Sequence, residues 1–217
     1  MSWLSAETVH FLADLRANND RDWFARHKNQ YELSLKQPGE AFAAAMANEL
    51  ASRRGTPHDY RIFRIHRDVR FSRDKAPFNA HLHISFSSAG GCKDGAPVWM
   101  FGLDHDGLTL GAGIFAFSAH QLERWRDLCA APAGERMIAK LGTIARDGIR
   151  LSEPELKRVP APYPADHPRG AELRRKGLTA WIDRLDPSLA FGPEGAARCV
   201  KSISELQVVF ETLTALG

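Results

Sequence analysis

Cysteine is scarce: Cys92, Cys129 and Cys199 are three in 217 residues, odd in number and without a Cys-x-x-Cys pair. That excludes a disulfide framework and a cysteine zinc site, and makes a reducing cytosol the simplest setting. Long apolar runs are also missing. Nothing approaches the roughly 18 residues that a membrane span requires, and charges interrupt residues 1–22, where a secretory signal would need an apolar core. The expectation is a cytoplasmic protein with no membrane association. There is no Gly-x-Ser-x-Gly, no Walker loop and no dinucleotide fingerprint, and Gly111-Ala-Gly113 is too short to be one. No cofactor is expected. Internal repeats and low-complexity tracts are absent too. What remains, 44% apolar and 25% charged residues, is the composition of an ordinary globular chain rather than a disordered or fibrous one.

The charge is unevenly placed. Lys plus Arg number 29 and Asp plus Glu 26. Residues 61–81 hold Arg61, Arg64, Arg67, Arg70, Arg73 and Lys75 against Asp68 and Asp74. Residues 157–176 hold Lys157, Arg158, Arg169, Arg174, Arg175 and Lys176 against Asp166 and Glu172. Outside these two segments the chain is acidic. A uniformly basic surface would suit sliding along nucleic acid. Two basic segments on an acidic body point to a focused anion site.

Periodicity divides the chain into helix, then strand, then helix. Ser5 caps a helix carrying Phe11, Leu12 and Leu15, and Asn18-Asn19-Asp20 ends it. A second helix carries Trp23, Phe24, His27 and Tyr31. A third opens at Pro38 and closes at Gly55. From Phe63 to Phe71 apolar and polar residues alternate, which predicts a half-buried strand. Leu82, Ile84 and Phe86 alternate with His81, His83, Ser85 and Ser87 in a second strand. Val98–Leu103 is a third, Asp104-His105-Asp106-Gly107 a hairpin turn, and a fourth strand starts at Leu108. Gly111 and Gly113 permit close backbone approach there. Helices follow Ser118 and run from about Glu135 to Arg146. Five prolines in 153–168 predict a stiff strap, and a final helix covers about Glu194 to Leu216. Trp181 reads as core near a helical pattern. The fold class implied is α+β, an antiparallel sheet with helices packed mainly on one face, in one domain over 1–217.

The densest chemistry lies in Arg64-Ile-His-Arg-Asp68-Val-Arg70-Phe-Ser-Arg-Asp74-Lys75. On a strand, Arg64, His66, Asp68 and Arg70 would share one face. Guanidinium forks bind carboxylate or phosphate oxygens in pairs. Asp68 would hold the forks in place and Lys75 would close over them. Arg67 falls on the apolar side and needs a buried acidic partner, Asp74 or an acid on a helix. The competing reading is a set of cross-strand ion pairs with no ligand. Asp68 and His66 are the candidate proton carriers. The strap and the short helix after His167-Pro168 would bring Arg158 and His167 to the same pocket. His81 and His83 with His66 and Asp68 could chelate a metal, but the adjacent arginines repel a cation, so no metal is expected.

These residues resemble a known family. Bacterial proteins of about this length, catalogued as domain of unknown function 2461, share Arg-x-x-Arg-Asp-x-Arg-Phe followed by Asp or Asn, Lys and an aromatic. Arg64, Arg67, Asp68, Arg70, Phe71, Asp74 and Lys75 match. The aromatic, usually Tyr, is Phe78 here. The resemblance extends to Asn18-Asn19 with Trp23-Phe24 and to the stretch from Leu156-Lys157-Arg158 to Asp166-His167-Pro168. Ala161-Pro162 stands where relatives often have Lys-Gly. The resemblance implies one shared site and no particular reaction, so the sequence leaves open whether the protein is an enzyme. The expectation is a site for a small anionic or phosphate-bearing ligand, contacted by Arg64, Arg67, Arg70, Asp74, Lys75, Arg158 and His167. The alternative is a non-catalytic module binding nucleic acid or an acidic protein partner. The residues do not indicate an oligomeric state.

Overall fold

The computed structural model of the chain describes residues 3–89 and 95–217; Cys92 lies outside them. The fold is α+β, with six antiparallel strands. Strands β1 (His58–Ile62), β2 (Leu82–Ser88), β3 (Val98–Leu103), β4 (Leu108–Ile114), β5 (Arg150–Leu151) and β6 (Leu178–Leu185) lie in the order β1-β2-β3-β4-β6-β5. The chain divides into two compact units, residues 1–89, 100–110 and 183–202 in the first and 90–99, 111–182 and 203–217 in the second.

In the first unit, helix α1 (Ala6–Ala17) starts where the Ser5 amide donates to Thr8 Oγ1 at 3.3 Å. The Asn18-Asn19-Asp20 turn does more than stop it. Asp20 caps α2 (Arg21–Arg26) by accepting from the Trp23 amide at 2.7 Å, satisfying one of the free N–H groups of a helix start. The third helix does not begin at Pro38. The chain stays helical from α3 (Lys28–Tyr31) through a π-turn at Glu32–Lys36 into α4 (Gln37–Arg54), and Pro38 is buried in the first turn of α4. Pro38 has no N–H to return to the preceding turn, so the ladder loses one bond just after the π-turn. Gly55, at φ +70°, ends α4. Helix α4 packs on β1 and β2. Gly39 leaves room for Leu82, and Phe42 meets the Phe101 ring at 4.6 Å.

The strand expected over Phe63–Phe71 does not form. The strand in this part of the chain is β1, whose register against β2 pairs Arg61 with Ser85 and Ile62 with Ile84. Beyond Phe63 the backbone leaves the ladder. Of the apolar residues at odd positions, Ile65 is buried, while Phe63 and Phe71 are 45% and 96% exposed. The alternation was real in sequence but had no second strand to pack upon. Strands β2, β3 and β4 follow the predicted bounds. The Asp104 carboxylate accepts from the Asp106 and Gly107 amides at 2.8 and 3.0 Å, which builds the hairpin turn.

In the second unit, Ser118 caps α5 (Ala119–Ala130). Gln121, Trp125 and Cys129 form its buried stripe, and Leu122 and Leu128 beside it are half-buried. Helix α6 (Pro132–Arg146) begins earlier than expected. Trp181 lies on β6 rather than on a helix. The predicted C-terminal helix is three pieces: α8 (Gly195–Ile203), which starts in the first unit, a 3₁₀ turn at Ser204–Leu206, and α9 (Gln207–Thr214). Trp99 stacks on Phe210 at 4.2 Å. Short helix α7 (Gly170–Leu173) follows the strap, which is irregular throughout. Much of the second basic segment is structural. Arg175 is 5% exposed and binds the Glu172 carboxylate and the Ser152 carbonyl. Arg169 and Arg174 donate to the carbonyls of Ala130 and Gly170.

Both glycines of β4 face close neighbours. A Cβ at Gly111 would meet the Trp181 ring, and one at Gly113, φ +151°, would collide with the Leu178 carbonyl oxygen. Because the second obstacle is backbone, it cannot swing aside. Gly113→Ala is expected to lower unfolding free energy by about 2–4 kcal/mol, read as a shifted midpoint in urea.

Candidate functional site

The arginine-rich motif is a lasso, not a strand. Its two limbs touch once as an antiparallel bridge between His66 and Phe78. There the Arg67 amide donates to the Pro77 carbonyl at 2.8 Å and the Asn79 amide to the Ile65 carbonyl at 2.6 Å. The bridge is fastened to the helices by Asn19. Its side-chain amide donates to the Phe78 carbonyl at 2.9 Å, and its side-chain oxygen accepts from the Phe78 amide at 3.0 Å. One carboxamide thus replaces a neighbouring strand. The buried Phe78 ring stacks on Phe24 at 4.3 Å, and His66 presents an edge to both rings. The sequence pointed to Asn19 only as part of the helix-ending Asn18-Asn19-Asp20 turn and of the family resemblance. Its signal was a second Asn ahead of an Asp cap, one polar residue more than a helix start needs.

Within the lasso the ionic partners are local. Arg67 finds the acid expected of it, with Nη1 2.6 Å from Asp74 Oδ2, and also donates to the Ala76 carbonyl at 3.1 Å. Asp68 holds the Arg70 fork in a two-pronged pair, 2.9 Å from Nε and 2.6 Å from Nη2. Lys75 donates to the Val69 carbonyl at 3.1 Å. Arg70 and Lys75 are therefore occupied by the loop itself. Hydrogen bonds from Arg70 hold the Asp68 carboxyl below its ordinary range, and bonds from the Ala76 amide and Arg67 do the same for Asp74. A carboxylate so stabilised is a weak base. Arg64 acts on Asp68 through space, and no carboxylate pairs with its guanidinium among the described residues.

Behind the lasso lies an open cleft of about 650 Å³, lined by residues of β1, β2 and the lasso limbs, among them Arg61, Arg64, Arg67, His66, Asp68 and Asn79. His81 and His83 also line it, their rings stacked at 3.8 Å. Gly102 on β3 makes room for the His83 ring, which a Cβ there would crowd at 3.1 Å. Burial pushes the His81 imidazole down and, with His81 beside it, His83 to about 4. His83 still shows an exposed edge, so solvent screening weakens the effect. The direction means both rings are neutral at pH 7. A second hollow of about 320 Å³ shares Arg67, Asn79 and His81 and adds Asp74, Asn19, Arg16 and Asp104.

The lasso residues thus come together, but not as a row of converging forks. Arg64 and Arg67 reach the cleft, whereas Arg70, Asp74 and Lys75 shape the loop. Arg158 and His167 belong to the second unit. Arg158 is exposed, and His167 Nδ1 accepts from the Arg169 amide at 3.1 Å. Asp104, His105 and Asp106 place one ligand atom each within 4.8 Å of one another. Their oxygens serve the turn and an exposed pair of Asp106 with Arg16 at 3.4 Å.

Asn19→Ala would leave the Phe78 amide and carbonyl without their partners. The expected cost is about 1–3 kcal/mol, with amide hydrogen exchange accelerated in residues 65–79 well before the rest of the first unit. Asn19→Asp, which keeps the acceptor but turns a carboxylate oxygen toward the Phe78 carbonyl, is expected to cost at least as much.

No curated protein matches the chain. Residues 7–211 match a family model, a span that takes in every residue of the lasso and of both hollows. The chain belongs to the family described as conserved hypothetical protein (DUF2461).

Proposed function

We propose that the cleft behind the lasso binds a small anionic, phosphate-bearing ligand. The observation that carries this reading is Arg64: a guanidinium on a cleft wall with no acidic partner among the described residues, beside Arg61 and Arg67. A bound anion would offset the mutual repulsion of three cations at one opening. Arg67, already held by Asp74, offers a preset donor. Neutral His81 and His83 and the Asn79 amide offer hydrogen bonds without further charge. Arg70, Asp74 and Lys75 contribute by setting the loop's shape. If chemistry follows binding, His66 is the better proton carrier, since Asp68 is held ionised by Arg70. A second reading, a non-catalytic surface for nucleic acid or an acidic protein, is favoured by one observation: Phe71, 96% exposed beside Arg70 on the same loop.

Calorimetric titration with inorganic phosphate tests the first reading. Arg64→Ala is expected to weaken binding tenfold or more, the loss of about 1.5–3 kcal/mol from a charge-assisted contact, with the melting temperature unchanged. Arg70→Ala should change affinity far less. Absence of phosphate binding by the parent, with tight binding of a single-stranded oligonucleotide lost in Phe71→Ala, would favour the second.

The pH dependence has a definite sign. His81 and His83 are neutral at pH 7 and gain protons below their ordinary value of 6.5, so each adds positive charge to the cleft as pH falls. Sulfate, whose own charge is constant over this range, is expected to bind more tightly at pH 4 than at pH 7. The double variant His81→Gln, His83→Gln should flatten that slope.

A further inference from the structure

The cleft contains more than an anion requires. Phe63 leaves its ring 45% exposed on the wall, at the point where the chain departs from β1. Covering an aromatic ring left half in water is favourable. Arg61 covers part of it, with its guanidinium carbon 5.1 Å from the ring centre. The guanidinium lies over one face of the ring, so the pair is a flat cation stacked with a flat ring, and both are groups suited to stacking on a further planar group. Arg64 follows Phe63 directly in the chain. Asn79, on the opposite lasso limb, lines the same cleft, and its carboxamide can both donate and accept. The volume of about 650 Å³ lies in the usual range for organic ligands and is far larger than a bare phosphate.

From this juxtaposition we infer that the ligand is a nucleoside phosphate, its base stacked on Phe63 and Arg61 and its phosphate held by Arg64 and Arg67. The inference rests on the anion-binding reading above and adds the planar group. The stacked base lies at the β1 end of the cleft. The phosphate lies toward the lasso bridge, where Arg67 is fixed by Asp74 and Ala76. Asn79 addresses the sugar hydroxyls or the base edge between them.

The test compares three probes, inorganic phosphate, ribose 5-phosphate and adenosine 5′-monophosphate, by calorimetric titration of the intact chain. The nucleotide is expected to bind about tenfold more tightly than the sugar phosphate, in line with a base stacked on an aromatic ring. Phe63→Ala should abolish that difference and leave the other two affinities unchanged. Since Phe63 is on the surface, the variant should fold, and Phe63→Leu, apolar but without a ring, should also lose the preference. Arg64→Ala should weaken all three. Equal binding of nucleotide and sugar phosphate would overturn this inference while leaving the anion site standing. Failure of all three to bind would overturn both. Binding of an adenine oligonucleotide far more tightly than the monomer would also overturn it, in favour of an extended strand surface.

Discussion

The lasso depends on one carboxamide. The neck of the arginine-rich loop is fastened to the helices by Asn19, which meets both backbone groups of Phe78. That pair fixes the one bridge between the limbs. The bridge sets Arg67 near Asp74 and Phe78 against Phe24, and the limbs in turn bound the cleft. A hydrogen-bonded side chain can stand in for a strand here because a buried backbone N–H and C=O need partners of any origin.

The ion pairs in the lasso span short distances along the chain. Arg70 and Asp68 are two residues apart and Arg67 and Asp74 seven. Both are exposed on at least one side, where ion pairs contribute little to stability. Their value is geometric: they close a tight loop against its own charge repulsion. Arg64, outside these pairs, is left facing the cleft. Arg67 and Arg70 thus have local partners within the loop rather than the cross-strand pairs of the competing reading, and Arg64 has no carboxylate partner among the described residues.

The sequence was most legible where local and tertiary demands agree. Strands β2 to β4 could be read because Leu82, Ile84 and Phe86 alternate in a buried sheet and Asp104 to Gly107 carries turn chemistry. The partner of Arg67 could be read because a charge among apolar residues needs one. The lasso was misread as a strand because alternation reports a pattern and not a neighbour: Asn19, 59 residues from Phe78, supplies the pairing instead. Strand β1 escaped notice because its middle residues, Asp59, Tyr60 and Arg61, are all exposed and show no apolar face. Strand β6 mixes both faces, with three buried residues in succession at its start. The break before α9 leaves no mark, since Ser204–Leu206 contains neither Gly nor Pro.

The π-turn at Glu32–Lys36 has its own consequence. Its last hydrogen bond runs from the Gln37 amide to the Glu32 carbonyl, one residue farther than in an α-helix. The extra residue is absorbed locally, so Phe24 and Tyr31 before it and Phe42 and Met46 after it all reach buried or half-buried positions. The helix therefore contains one place where its length is negotiable. A chain one residue shorter there could close an ordinary α-turn and keep both flanking faces inward. The same deletion a turn or two later, inside α4, would rotate everything beyond it by about 100° and carry Met46 and Leu50 out of the core.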